Sequence, residues 1–156
     1  MASLSDDITQ FIQILDKPET DADVQRLIDM SGKYSVDVFK DDSDPRCPIR
    51  TLVFEIGVDL SFSNTPSGEL LLDAVFFFVR PTELEGPRVY EGVESLITGI
   101  SADSSRQEVT RVLGEPVRSG AKYELYDIDG RFINFMFDET SGELMRITLM
   151  ANNPFA

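Results

Sequence analysis

The chain has 156 residues, enough for one well-cored domain or two small units sharing a core, and 42% of them are hydrophobic against 27% charged. It contains no histidine and a single cysteine, Cys47, which excludes an intramolecular disulfide, a thiolate zinc site, and every Ser-His-Asp or Cys-His arrangement. The formal net charge of −14 runs through both halves of the chain, a field that repels nucleic acid and anionic lipid and attracts basic partners.

In chain order, "SDDITQFIQILDK" sets Ile8, Phe11, Ile12 and Leu15 at helical spacing behind a Ser5 cap, and Pro18 closes it. "TDADVQRLIDMSG" predicts a second helix, with Thr20 and Asp23 as an approximate capping box, an apolar face of Val24, Leu27 and Ile28, and a stop at Gly32. Strands follow at "KYSVDVF", "RTLVFEIG", "VDLSFSN" and "LLLDAVFFFV", separated by the acidic turn-rich loop Asp41–Pro48, by Gly57, and by "TPSGE". In "AVFFFV", alternation sends one parity of phenylalanine to each face. The strand is therefore central and covered on both sides, or it offers aromatic surface to a partner. Arg80–Arg88, with two prolines and a glycine, reads as a linker.

The second half repeats the order. "SSRQEVTRVLGEP" has Ser105 as N-cap and Glu108 three residues on, a full capping box, with Val109, Val112 and Leu113 as its buried stripe and Gly114 as its stop. "KYELYDI", "RFINFMF" and "ELMRITLM" predict three strands, the first two joined by a tight turn at Asp129-Gly130. The tetrapeptide SGEL occurs in the last hairpin of each half, at Ser67–Leu70 and Ser141–Leu144, inside the same succession of helix, strand, strand, hairpin and strand. The expected fold is therefore α+β: two tandem repeats of one or two helices packed on a three- or four-stranded antiparallel sheet. The units are residues 1–80 and 90–156, with 81–89 between them. Gly68 and Gly142 are expected at positive φ in the two SGEL turns, with the preceding serines bonding the turn backbone.

Chemical signatures are sparse. "DIDG" (Asp127–Gly130) has its glycine too early for a calcium loop and strands on both sides, so it reads as a hairpin turn. Asp41, Asp42 and Asp44 form either a solvated acidic loop or a weak oxygen-ligand metal site, and they suit docking to a basic protein surface. Asp37 and Asp59 lie in strands with no fixed separation. No glycine-rich phosphate loop, basic stripe or RNA-binding aromatic motif occurs. The chain is expected to have no catalytic residues, no metal and no cofactor.

"YEGVESLITGISADSSRQEVTRVLGEPVRSG", continued by "YELYDIDGRFINFMFDETSGELMRITLM", carries a tyrosine-glycine lead-in, a G-I-S segment, SR-x-EV-x-x-x-LG-x-P and strands ending ITLM. In these features it resembles small bacterial immunity proteins of polymorphic-toxin and contact-dependent inhibition systems. The helix-plus-strands unit is similar to the modules of the β-lactamase inhibitor protein and of the outer-membrane assembly lipoprotein BamE. The resemblance implies a cytoplasmic immunity protein that binds and neutralises a cognate toxin, a basic one such as a nuclease, by stoichiometric occlusion. Asp41, Asp42, Asp44, Glu83 and Glu85, in the two irregular acidic loops, are the expected contact residues. No nucleic-acid or membrane partner is expected. The alternatives are an acidic cytosolic chaperone or adaptor for a secreted effector, and an oxygen-ligand metal hydrolase at Asp41, Asp42 and Asp44.

Overall fold

A computed structural model describes residues 6–83 and 86–155. The Ser5 cap and Glu85 lie outside the described residues. Two helices, α1 (Asp6–Gln13) and α2 (Ala22–Ser31), precede four strands: β1 (Tyr34–Phe39), β2 (Ile49–Phe54), β3 (Val58–Asn64) and β4 (Leu70–Phe78). A 3-10 turn (Val93–Ser95) and α3 (Arg106–Leu113) lead to β5 (Arg118–Ser119), β6 (Tyr123–Ile128), β7 (Arg131–Phe137) and β8 (Leu144–Met150). The protein is α+β, with one antiparallel eight-stranded sheet in the order β1-β2-β3-β4-β8-β7-β6-β5. Each half contributes a meander, and the two join edge to edge where β4 pairs with β8, from Ala74–Met150 to Phe78–Arg146. No helix among the described residues is long and apolar enough to cross a membrane.

Helix α2 starts one residue later than Thr20 suggested. Asp21 is its N-cap, and its carboxylate accepts the amides of Asp23 and Val24. The carboxylate of Asp21 reaches these free amides from an extended backbone, so no Thr20 box forms. In α3 the expected box is complete: Ser105 Oγ accepts the Glu108 amide, and Glu108 accepts the Ser105 amide. Those hydrogen bonds hold the Glu108 carboxyl below its usual pKa.

The apolar stripes of the helices meet one face of the sheet in a single core. Ile8, Phe11, Val24, Ile28 and Val109 pack with Leu52, Phe54, Phe62, Phe77, Ile133, Phe135, Ile147 and Leu149. Phe11 stands edge-on against Phe77, ring centroids 5.1 Å apart. Both return strands carry a bulge. Ser61 pairs with Ala74 and Phe62 with Leu72, leaving Asp73 extra, and Met136 pairs with Arg146 and Phe137 with Leu144, leaving Met145 extra. The first bulge lets Leu72 and Val75 both face the core although three positions separate them.

The turns follow the expected chemistry. Asp129 and Gly130 both have positive φ, 52° and 88°, as a two-residue hairpin of this hand requires. In the SGEL loops, Gly68 (φ 86°) and Gly142 (φ 75°) reverse the chain, and the Glu143 amide donates to Ser141 Oγ at 3.2 Å. The stretch read as a linker is anchored. Arg88 donates to the Phe54 carbonyl (2.7 Å) and to Asp59 (2.9 Å) and lies over the Phe78 ring. The Tyr90 amide donates to the Phe78 carbonyl.

Candidate protein-binding face

The helices cover one face of the sheet. On the other, the alternate residues of β3, β4, β7 and β8 line an open trough of about 810 Å³. Its floor mixes polar side chains, Ser61, Ser63, Asn134 and Thr148, with apolar ones, Ala74, Phe76, Met136 and Met150, and Phe76 is the register partner of Thr148 across the β4–β8 seam. These residues alternate with the core set: Asn134 falls between Ile133 and Phe135, and Thr148 between Ile147 and Leu149. The Arg146 guanidinium lies 5.2 Å from the centroid of Phe76, diagonal to it across the β4–β8 seam.

One wall is the C-terminal segment. Asn152, Asn153, Pro154 and Phe155 border the trough. Phe155 stacks on Tyr123 with centroids 5.6 Å apart, and Arg118 lies 3.9 Å above the Phe155 ring. The segment is directed back over the sheet because the Ala151 amide donates to the carbonyl of Asp73, the bulged residue of β4.

Two floor atoms, Thr148 Oγ1 and Asn134 Oδ1, are buried and have no hydrogen-bond partner within the protein. Their residues are register partners on β7 and β8, so both atoms belong to one spot at the middle of the sheet. A buried polar atom left unmatched costs about 1–3 kcal/mol, and a partner group bonds to it only where the side chains above it move aside. The charged lining is Arg46, Lys122 and Arg146 against Asp16 and Asp73, so the trough does not share the acidic excess of the chain.

The acidic loop lies at one end of this trough. Asn64 fastens it, with its amide nitrogen donating to the Arg46 carbonyl (2.7 Å) and its side chain to the Pro45 carbonyl (3.3 Å), and Arg46 and Asn64 both line the trough. Asp41 accepts the Ser43 hydroxyl and amide, and Asp44 accepts the Arg46 guanidinium and amide. These hydrogen bonds, the side-chain ones first, hold both carboxyls below their usual pKa. Asp42 is exposed. Among the described residues, no group of three or more carboxylates and thiols is placed to hold a metal ion. Glu83 is also exposed, but it follows the other end of β4. The length of that strand, ~25–30 Å at the usual rise, separates it from the Asp41–Asp44 loop, so the two acidic loops do not form one patch.

Asp37 and Asp59 are not brought together either. Asp37 sits on the edge strand opposite Thr51, while Asp59 is held by Arg88. Of the three consecutive phenylalanines, Phe77 enters the core, Phe78 is buried under Arg88, and Phe76 lines the trough. Thr148, Asn134 and Arg146 did not emerge as site residues from the sequence, whereas Phe76 belongs to the run whose alternation allowed aromatic surface to face a partner. The polar period in "RFINFMF" and "MRITLM" marks their face, yet nothing in that period indicates that the face is left open. Comparison with protein-family models, with curated proteins and with solved structures gives no match for this chain.

Proposed function

We propose that this chain is a binding protein of the immunity class, which seats a folded toxin domain on the helix-free face of its sheet and blocks it by stoichiometric occlusion. The observation that carries the reading is the open trough with two unmatched polar atoms, Thr148 Oγ1 and Asn134 Oδ1, at its centre. Its lining includes the aromatic, methionine and arginine side chains that are enriched at protein-binding surfaces. The acidic excess outside the trough draws in a basic partner, and the cations within it receive a carboxylate or amide that the partner inserts.

Asp41, Asp42 and Asp44 stand at the rim, beside Arg46, as first contacts. Glu83 is a further contact for a partner long enough to lie along β4. The reading assigns no catalytic residue and no cofactor. It also takes residues 1–80 and 90–156 as copies of one helix-plus-strands unit. In support, each copy ends in an SGEL hairpin, and β4 and β8, the strands after those hairpins, pair with each other.

The test is co-expression with the proteins encoded on either side of this chain, scored for rescue from toxicity, followed by isolation of the complex. Thr148→Val and Phe155→Ala should leave the unfolding midpoint near that of the native protein. The first breaks no hydrogen bond within the protein, and the second removes a ring that is half exposed. Both should weaken protection and shorten the lifetime of the complex. Protection that survives both substitutions and a Thr148→Arg block would remove the trough from the interface. Binding confined to an unfolded segment of the partner would favour the chaperone reading instead.

A further inference from the structure

The two edges of the sheet are unlike. Strand β5 has two residues, whereas β1 has six, paired in unbroken register from Tyr34–Phe54 to Phe39–Ile49, and contains no proline. All six are exposed. The Glu55 amide donates to the Lys33 carbonyl, which sets the phase of the ladder. Lys33, Ser35, Asp37 and Phe39 turn their peptide groups toward β2, and Tyr34, Val36 and Val38 turn theirs outward. An edge of this kind is a template for another strand.

The side chains on β1 continue the core layer. Tyr34 packs 5.0 Å from the fully buried Phe54, and Val36 and Val38 share its face, yet the three are 42%, 44% and 46% exposed. The opposite face of the strand carries Lys33, Ser35, Asp37 and the exposed Phe39. A strand that pairs with β1 must therefore supply an apolar row on one face and tolerate Asp37 on the other.

β1 itself meets both conditions. In the antiparallel register centred on Val36, Val36 pairs with Val36 of the second copy and Tyr34 with Val38 of the second copy, an aromatic to β-branched contact made twice. Asp37 then faces Ser35 of the second copy, and Lys33 lies diagonal to Asp37 of the second copy, within reach of a long side chain. A register centred on Asp37 would set two carboxylates opposite each other. The Val36 register overlaps Tyr34–Val38, five of the six residues, and sets Phe39 against Lys33 of the second copy.

We propose that β1 pairs with β1 of a second copy of this chain in the register centred on Val36, joining two eight-stranded sheets into one. No β1 residue lines the trough, so the dimer carries two troughs and its formation is independent of what they bind.

Sedimentation of the isolated chain over a concentration series tests this directly. The native protein is expected to dimerise. Val36→Lys, at an exposed position, should give a monomer with an unchanged unfolding midpoint. Asp37→Lys alone and Lys33→Asp alone should each raise the dimer dissociation constant about tenfold, and the double swap should restore it. Val36→Cys in a Cys47→Ser background should oxidise to a disulfide-linked dimer. A native chain that stays monomeric throughout, a dimer untouched by Val36→Lys, or a double swap without recovery would overturn the proposal. None of these results depends on toxin binding.

Discussion

Arg106 Nε lies 2.8 Å from Glu124 Oε2, tying the first turn of α3 to β6 beneath the helix layer. The Glu124 carboxylate is 8% exposed and also meets the Thr110 hydroxyl (3.1 Å) and the Tyr126 hydroxyl (2.7 Å). Arg106 further donates to the carbonyls of Gly120, Ala121 and Tyr123, closing the turn before β6. A buried carboxylate is stable here because every neighbour donates to it. Arg106→Ala leaves that charge uncompensated and should cost about 3–5 kcal/mol. Glu124→Gln leaves a neutral group among the same donors, and Arg106 keeps its carbonyl acceptors, so its cost should be smaller. Urea unfolding of the two variants checks the order, and an equal or reversed cost would remove the network from the account of stability.

Tyr126 should make the fold sensitive to alkali. Burial, and then its hydrogen bond to Glu124, pushes its hydroxyl well above the ordinary tyrosine pKa. A group whose pKa is raised on folding contributes stability below its unfolded pKa and loses it as pH rises toward its folded value. Stability should therefore decline above about pH 10, where the unfolded tyrosine ionises and the folded one does not. Tyr126→Phe should be less stable at neutral pH and show a shallower alkaline decline. Parallel slopes for the two proteins between pH 9 and about pH 11 would contradict this assignment.

Gly57 should be the least replaceable of the turn glycines. Its φ is +92°, and an added Cβ would run into the Tyr90 amide nitrogen and the Val89 carbonyl carbon, where the anchored segment crosses the β2–β3 turn. Gly68, Gly130 and Gly142 also have positive φ but face open space. Alanine at those three should cost about 1–2 kcal/mol for the left-handed backbone alone. Gly57→Ala adds a backbone clash and should lower the thermal midpoint distinctly more, as a scanning calorimetry series of the four variants would measure.

The elements themselves were readable because local rules and tertiary structure agree there. "SSRQEV" caps a helix, "DG" turns a hairpin, and the alternation in "RFINFMF" belongs to a strand buried on one face and half-buried on the other. The misplaced cap at Thr20 is an instance where two adjacent residues could each serve and the carboxylate prevailed. Strand β5 and the 3-10 turn escaped because neither is long enough to show a period. The anchoring of Arg88 escaped because a contact with Asp59 across 29 positions leaves no local trace.

The order of residues along the chain specifies the class of this protein: α+β, antiparallel, acidic, and without the histidine and cysteine chemistry that many enzyme sites need. Composition and short-range periodicity suffice for that, since they reflect which residues can cap, turn and bury. Packing across the whole fold is what joins the halves into one sheet at β4 and β8, gathers the helices on one face, and brings Thr148, Asn134, Arg146 and Phe76 together on the other. Strand order depends on free energy summed over contacts far apart in the chain. The same alternation of polar and apolar residues would serve a solvated face or an open trough, and only the placement of all the helices on one side distinguishes them.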